Sequence, residues 1–99
     1  MSFMTLQPDM LAAAASDLSV IGSAISADNA AARPMTAVVP AAADDEVSAL
    51  TAAQFAAHAG LYQAVSAQAA AVHSMLVSTL SASAASYAAT EAANAITVR

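Results

Sequence analysis

Cysteine and lysine are both absent from this sequence, and arginine occurs only at Arg33 and Arg99. Without cysteine there is no disulfide, no thiol nucleophile and no thiolate metal site, and such a chain tolerates either redox environment. Seven carboxylates against two arginines give a formal charge of −5. The chain therefore has no basic footprint for phosphate backbones or anionic lipid, and nucleic acid is excluded as a partner. Glycine is confined to Gly22 and Gly60 and proline to Pro8, Pro34 and Pro40, so little interrupts helical runs, and the prolines partition the chain into two long segments. No basic residue precedes the early apolar stretch, which Asp9 and Asp17 interrupt. A cleavable secretory signal is not expected, and export would need a machine that reads something else.

What remains is rich in alanine and aliphatic residues, 60% of the 99 residues being hydrophobic. Alanine has the strongest helix propensity yet adds little transfer free energy when buried. A single all-α domain over residues 1–99, with a thin core of its own, is expected. Pro8 suits a first helical turn, where its missing N–H is harmless, and Asp9 places an anion at the positive end of the dipole. They predict helix 1 from about Pro8 to about Ala32. Pro34 is expected to end it, with a turn over residues 33–43 in which Val38 and Val39 before Pro40 favour an extended path. Asp44, Asp45 and Glu46 offer an N-cap and first-turn anions for helix 2, from about residue 44 to about Ser83 with residues 84–99 as a tail, or alternatively on through Glu91.

Helix 1 carries one narrow apolar seam of Leu11, Leu18, Ile21 and Ile25, with Ala14 and Gly22 alongside. Helix 2 is broader. Val47, Leu50, Phe55, His58, Leu61, Tyr62, Val65, Val72, Met75, Leu76 and Leu80 cover an arc of roughly 160°, beyond the ~100° a helix needs against one neighbour. Its other side, Ala49, Ala52, Ala56, Gln63, Ala67, Ala70, Ser74 and Ser78, is small and uncharged. By rise per residue the helices span roughly 37 and 58 Å, so an antiparallel hairpin is expected to leave helix 2 uncovered around Val72 to Leu80. Four large side chains left in water there forfeit roughly 6–12 kcal/mol, comparable to the stability of a small domain. The hairpin is expected to need a partner that completes a four-helix bundle.

Catalytic and cofactor chemistry finds no foothold. His58 and His73 are fifteen residues apart, about 22 Å along a helix, and cannot share a metal ion. No serine is grouped with a base and an acid, no nucleophile-elbow pattern occurs, and no glycine-rich phosphate loop is present. No catalytic residue, metal site, cofactor or small-molecule substrate is indicated. A membrane-spanning helix within Val47 to Ser86 is disfavoured by Gln54, His58, Gln63, Gln68 and His73 and by the small contribution of alanine to insertion.

Four stretches carry a family resemblance. They are Met1-Ser2-Phe3 with Pro8-Asp9, Ile21-Gly22-Ser23-Ala24, Asp45-Glu46-Val47-Ser48-Ala49-Leu50 continuing to His58, and Ser86-Tyr87-Ala88-Ala89-Thr90-Glu91 continuing to Asn94. With them the chain resembles the PE proteins of mycobacteria nearly end to end. Pro8-Asp9 stands where the family has Pro-Glu, and the charge in the first turn is kept. The resemblance implies a stand-alone PE domain, a two-helix hairpin that forms a heterodimer with two helices of a PPE-family protein. It further implies export by a type VII secretion system, with a cytosolic chaperone gripping mainly the PPE subunit. The family's tyrosine-x-x-x-acidic export signal maps onto Tyr87 and Glu91, which by themselves are only a helical i,i+4 pair. The expected location is outside the cell or in its envelope. Beside this stand a membrane-active or pore-associated envelope component formed with the partner, a self-assembling helical oligomer, and an immune-modulating surface antigen for which no residue argues.

Overall fold

A computed structural model of the chain describes residues 7–98; the lead residues 1–6, including Met1-Ser2-Phe3 of the family strings, and Arg99 lie outside them. Two helices, α1 (Pro8–Ala37) and α2 (Glu46–Thr97), make up the fold, with no strand among the described residues. The start of each helix is set locally. Pro8 opens α1 without stranding a donor, and the Gln7 carbonyl accepts the N–H groups of Met10 and Leu11 at 3.0 and 3.2 Å. Asp45 is the N-cap of α2. Its Oδ1 accepts the Ser48 N–H at 2.8 Å and its Oδ2 the Ser48 hydroxyl at 3.0 Å. Those bonds, the backbone one first, hold the Asp45 carboxyl below its ordinary pKa.

Two boundaries lie beyond those the sequence suggests. Pro34 does not end α1, which continues through it to Ala37. Pro34 and Ala30, whose carbonyl loses its N–H partner, are both exposed, so that carbonyl can be hydrated, and only the last turn depends on the interruption. The Thr36 hydroxyl donates to the Ala32 carbonyl at 2.9 Å within the same turn. Likewise α2 does not give way to a tail near Ser83 but runs to Thr97. Residues 84–97 contain neither glycine nor proline and are half alanine, so nothing stops a helix already nucleated.

The helices pack in two units, Ser23–Val72 and the remainder, in which residues 7–22 of α1 accompany 73–98 of α2. Ser23–Val72 is an antiparallel hairpin: Asn29 bonds to Tyr62 and Gln63, while Val39, further along, shares a hollow with Phe55. Within it the α2 positions with reduced exposure are Ser48, Ala52, Ala56, Ala59, Gln63 and Ser66, opposite Asn29 and Ala32 of α1. In the other unit they are Pro8, Leu11, Ala15, Leu18 and Gly22 of α1 and His73, Val77, Leu80, Ser83 and Ala84 of α2. Steps of three and four dominate in each, the spacing of a coiled-coil seam.

In Ser23–Val72 the helices thus pack mainly on small residues, while in the other unit Leu11, Leu18, Val77 and Leu80 join them. Every buried residue among the described ones is an alanine: Ala15 at 2% exposure, Ala59 at 8% and Ala84 at 4%. This corrects two expectations. Ala52, Ala56 and Gln63 belong to the seam rather than to an idle back of α2. The segment Val72 to Leu80 is not without cover, because His73, Val77 and Leu80 are half-buried in the unit that contains the start of α1. Alanine seams let backbones approach closely and gain dispersion contacts at no cost in side-chain entropy. The broad apolar arc of α2 is left outside.

Candidate partner interface

Of the apolar residues singled out on α2, Val47, Leu50, Phe55, Leu61, Tyr62, Val65, Val72, Met75 and Leu76 are all exposed, Phe55 to 59%. His58 is exposed beside them, and Leu80 alone is half-buried in the seam. On α1 the proposed stripe divides: Leu11 and Leu18 turn into the seam, while Ile21 and Ile25 stay exposed, joined by Met10, Val20 and Met35. Soluble chains rarely leave so many large apolar groups wet unless something covers them. Met10, Val20 and Met35 were missed because they fall off the helix-1 seam that a wheel ranked by size picks out.

The hydroxyls on these helices make the surface more apolar than the residue types suggest. Thr36, Thr51, Thr79, Thr90 and Thr97 each donate to the carbonyl four residues back, at 2.8–3.0 Å. A hydroxyl so bonded is not stranded when water is removed, and the threonine presents its methyl group. From Val47 to Thr90 there is no charged side chain, so covering α2 requires no desolvated ion over that span.

Near the turn of the hairpin Ser23–Val72 a cleft of about 440 Å³ opens between Ala32, Met35, Thr36 and Val39 on one side and Phe55, His58, Ala59 and Tyr62 on the other. Its polar edge is already satisfied: the Tyr62 hydroxyl donates to Asn29 Oδ1 at 3.0 Å, and Gln63 Nε2 donates to the Asn29 carbonyl at 3.0 Å. In the other unit His73 Nε2 lies 2.6 Å from the Leu18 carbonyl. The two histidines thus have separate surroundings, and no group of three or more metal-ligating side chains occurs among the described residues.

Tyr87 and Glu91 lie on α2 itself, one turn apart on an unbroken helix, and both are exposed, Tyr87 to 45%. They point outward on the same side, an aromatic ring followed by an anion. Pro8 and Asp9 occupy the first turn of α1. By length and composition α1 is long and apolar enough to cross a membrane.

Comparison with known proteins finds similarity along almost the whole chain. The PE family profile matches residues 4–94. The PE family protein PE13 of Mycobacterium tuberculosis is 65% identical over 96 residues, which cover 96% of both chains. The PE-PGRS family protein PE_PGRS8 of the same organism is 53% identical over 98 residues, where this chain spans 56% of the relative's length. PE_PGRS11 is 57% identical over 99 residues, only 17% of its own length. The chain is therefore similar to nearly all of one relative and to a part of the others. It belongs to the PE family.

Proposed function

We propose that this protein is a secreted, non-enzymatic binding subunit that pairs lengthwise with two helices of a PPE-family protein to complete a four-helix bundle. The observation that carries the reading is the exposed apolar face of α2, from Val47 to Leu76, on a hairpin whose own seam is already filled by small side chains. A partner that presents apolar residues to this face recovers the transfer free energy the hairpin leaves unused. The uncharged surface and self-bonded threonines allow that burial without stranded polar groups. Tyr87 and Glu91 are the export signal read by a type VII system, and the chaperone of that system grips the PPE subunit. The complex ends in the envelope or outside the cell, without cleavage of a signal peptide.

The test is expression of the chain alone and together with its cognate PPE protein. Alone, poor folding or aggregation is expected; together, a soluble 1:1 helical complex. A monodisperse, cooperatively melting monomer from the chain alone overturns the reading, and a defined homo-oligomer transfers the exposed face to self-assembly. A membrane-active or pore-associated role for the complex is the second reading, favoured by the apolar length of α1. Co-sedimentation of the purified complex with neutral liposomes distinguishes it.

A further inference from the structure

A seam made of small residues has a weakness. On α2 the positions Ala52, Ala59 and Ser66 are related by steps of seven, as are Ala56, Gln63, Ala70, Val77 and Ala84. Sliding one helix past the other by seven residues again brings small or aliphatic side chains together, Leu11 taking the place of Leu18 and Ala52 that of Ala59, so the apolar pattern alone discriminates poorly between registers. Two of the seam residues of α2 are not interchangeable in this way, His73 and Gln63.

A Cβ at Gly22 would lie 2.7 Å from both Cδ2 and Nε2 of His73. The imidazole therefore occupies space that any other residue at position 22 would fill. A carbonyl oxygen can only accept, so the 2.6 Å contact with Leu18 means that Nε2 carries a proton and donates it. The same carbonyl is the helical acceptor of the Gly22 N–H, so notch and acceptor lie on one turn of α1. Ser66 or Leu80, which a slide of seven residues would bring to the place of His73, cannot both fill the notch and donate to that carbonyl, serine being too small and leucine having no donor. In the unit Ser23–Val72, Gln63 Nε2 donates to the Asn29 carbonyl at 3.0 Å, and this bond too is specific to one pairing.

We infer that these contacts, the His73 ring on Gly22 and Leu18 in one unit and Gln63 on Asn29 in the other, are the keys that select a single register for an otherwise degenerate alanine seam. They are positioning residues: through the register they decide which apolar residues of α1 and α2 stand side by side on the outer surface. The inference does not depend on the identity of any partner.

The natural absence of cysteine allows spin labels to be placed at Ala14→Cys and Ser81→Cys, both exposed positions of the same unit. The labelled full chain is measured by pulsed electron paramagnetic resonance in the folded form in which it is purified, any complex included. The parent is expected to give one distance. The variant His73→Ala/Gln63→Ala, which lacks both keys, is expected to lose it and to gain a population displaced by one heptad, about 10 Å along the helix. A second variant, Gly22→Ala/Gln63→Ala, fills the notch while raising helix propensity, so it guards against simple unfolding and is expected to behave alike. An unchanged single distance in either folded double variant overturns the inference.

Discussion

Replacing Ala15 by leucine puts an isopropyl group where only 2% of the residue is accessible. Ala15 lies in the seam of the unit formed by residues 7–22 and 73–98. At that burial the added group meets the facing helix, which must move to admit it. Overpacking of this kind costs ~1–3 kcal/mol, against a total of ~5–15 kcal/mol for a domain. In a domain of this size that lowers Tm by roughly 4–8 °C for each kcal/mol lost. The neighbouring Ala14 is exposed, and leucine nearly matches alanine in helix propensity, so Ala14→Leu is expected to stay within ~0.5 kcal/mol of the parent. The two variants have identical composition and differ only in the face that carries the leucine. Urea denaturation followed by far-ultraviolet circular dichroism, on the co-purified complex where the chain requires one, reads the difference. Equal midpoints, or a more stable Ala15→Leu protein, would refute an alanine seam as the contact between the helices.

Substituting Asp for Phe55, Leu61, Tyr62 or Leu76 is expected to abolish co-purification with the partner, because a charge desolvated in an apolar interface costs several kcal/mol. Lys at exposed Ala67 or Ser74 is expected to be tolerated, whereas Lys at half-buried Ala56 is not; pull-down yields decide. Tyr87→Ala and Glu91→Ala are expected to abolish appearance in the culture filtrate while leaving pairing intact, and normal secretion of either would dismiss the signal. Asp45 has a lowered folded pKa, so its contribution is present above the unfolded value of ~3.9 and is lost as pH falls through the folded one. A pH titration of the Ser48 amide resonance should show that loss, and Asp45→Asn should remove the transition. A Cβ at Gly60 meets nothing within 4 Å, so Gly60→Ala is expected to stabilise α2 by ~0.5–1 kcal/mol, visible as a raised denaturation midpoint.

What the sequence made legible follows from how local each interaction is. Pro8 with Asp9 and the cap at Asp45 act within a few residues, so their spacing alone locates the helix starts. The apolar arc from Val47 to Leu76 was equally plain, since bulk and periodicity need no knowledge of a neighbour. The seam was not. A helical wheel ranked by size assigns Ala52, Ala56 and Gln63 to a passive side, because alanine reads the same on a wet surface and in a close helix contact. The three-four spacing was present in the letters, disguised by polar members such as Gln63 and His73, whose partners lie on the other helix. Pro34 misled for a related reason: its cost depends on whether the freed carbonyl meets water, and only the fold places Ala30 and Pro34 at an exposed surface. The aromatic and the anion at Tyr87 and Glu91 were visible as a pair, yet their setting on a continuing helix depended on the absence of any breaker before Thr97.

That continuity of α2 has a mechanical side. From Glu46 to Thr97 the helix contains no proline and no loop, so between Tyr87 and the cap at Asp45 there is no slack to take up. A force applied at Tyr87 and Glu91 loads the ladder of backbone hydrogen bonds of the helical segment that carries them, each bond joining residues four apart. An engine that grips the exposed end therefore holds a stiff handle.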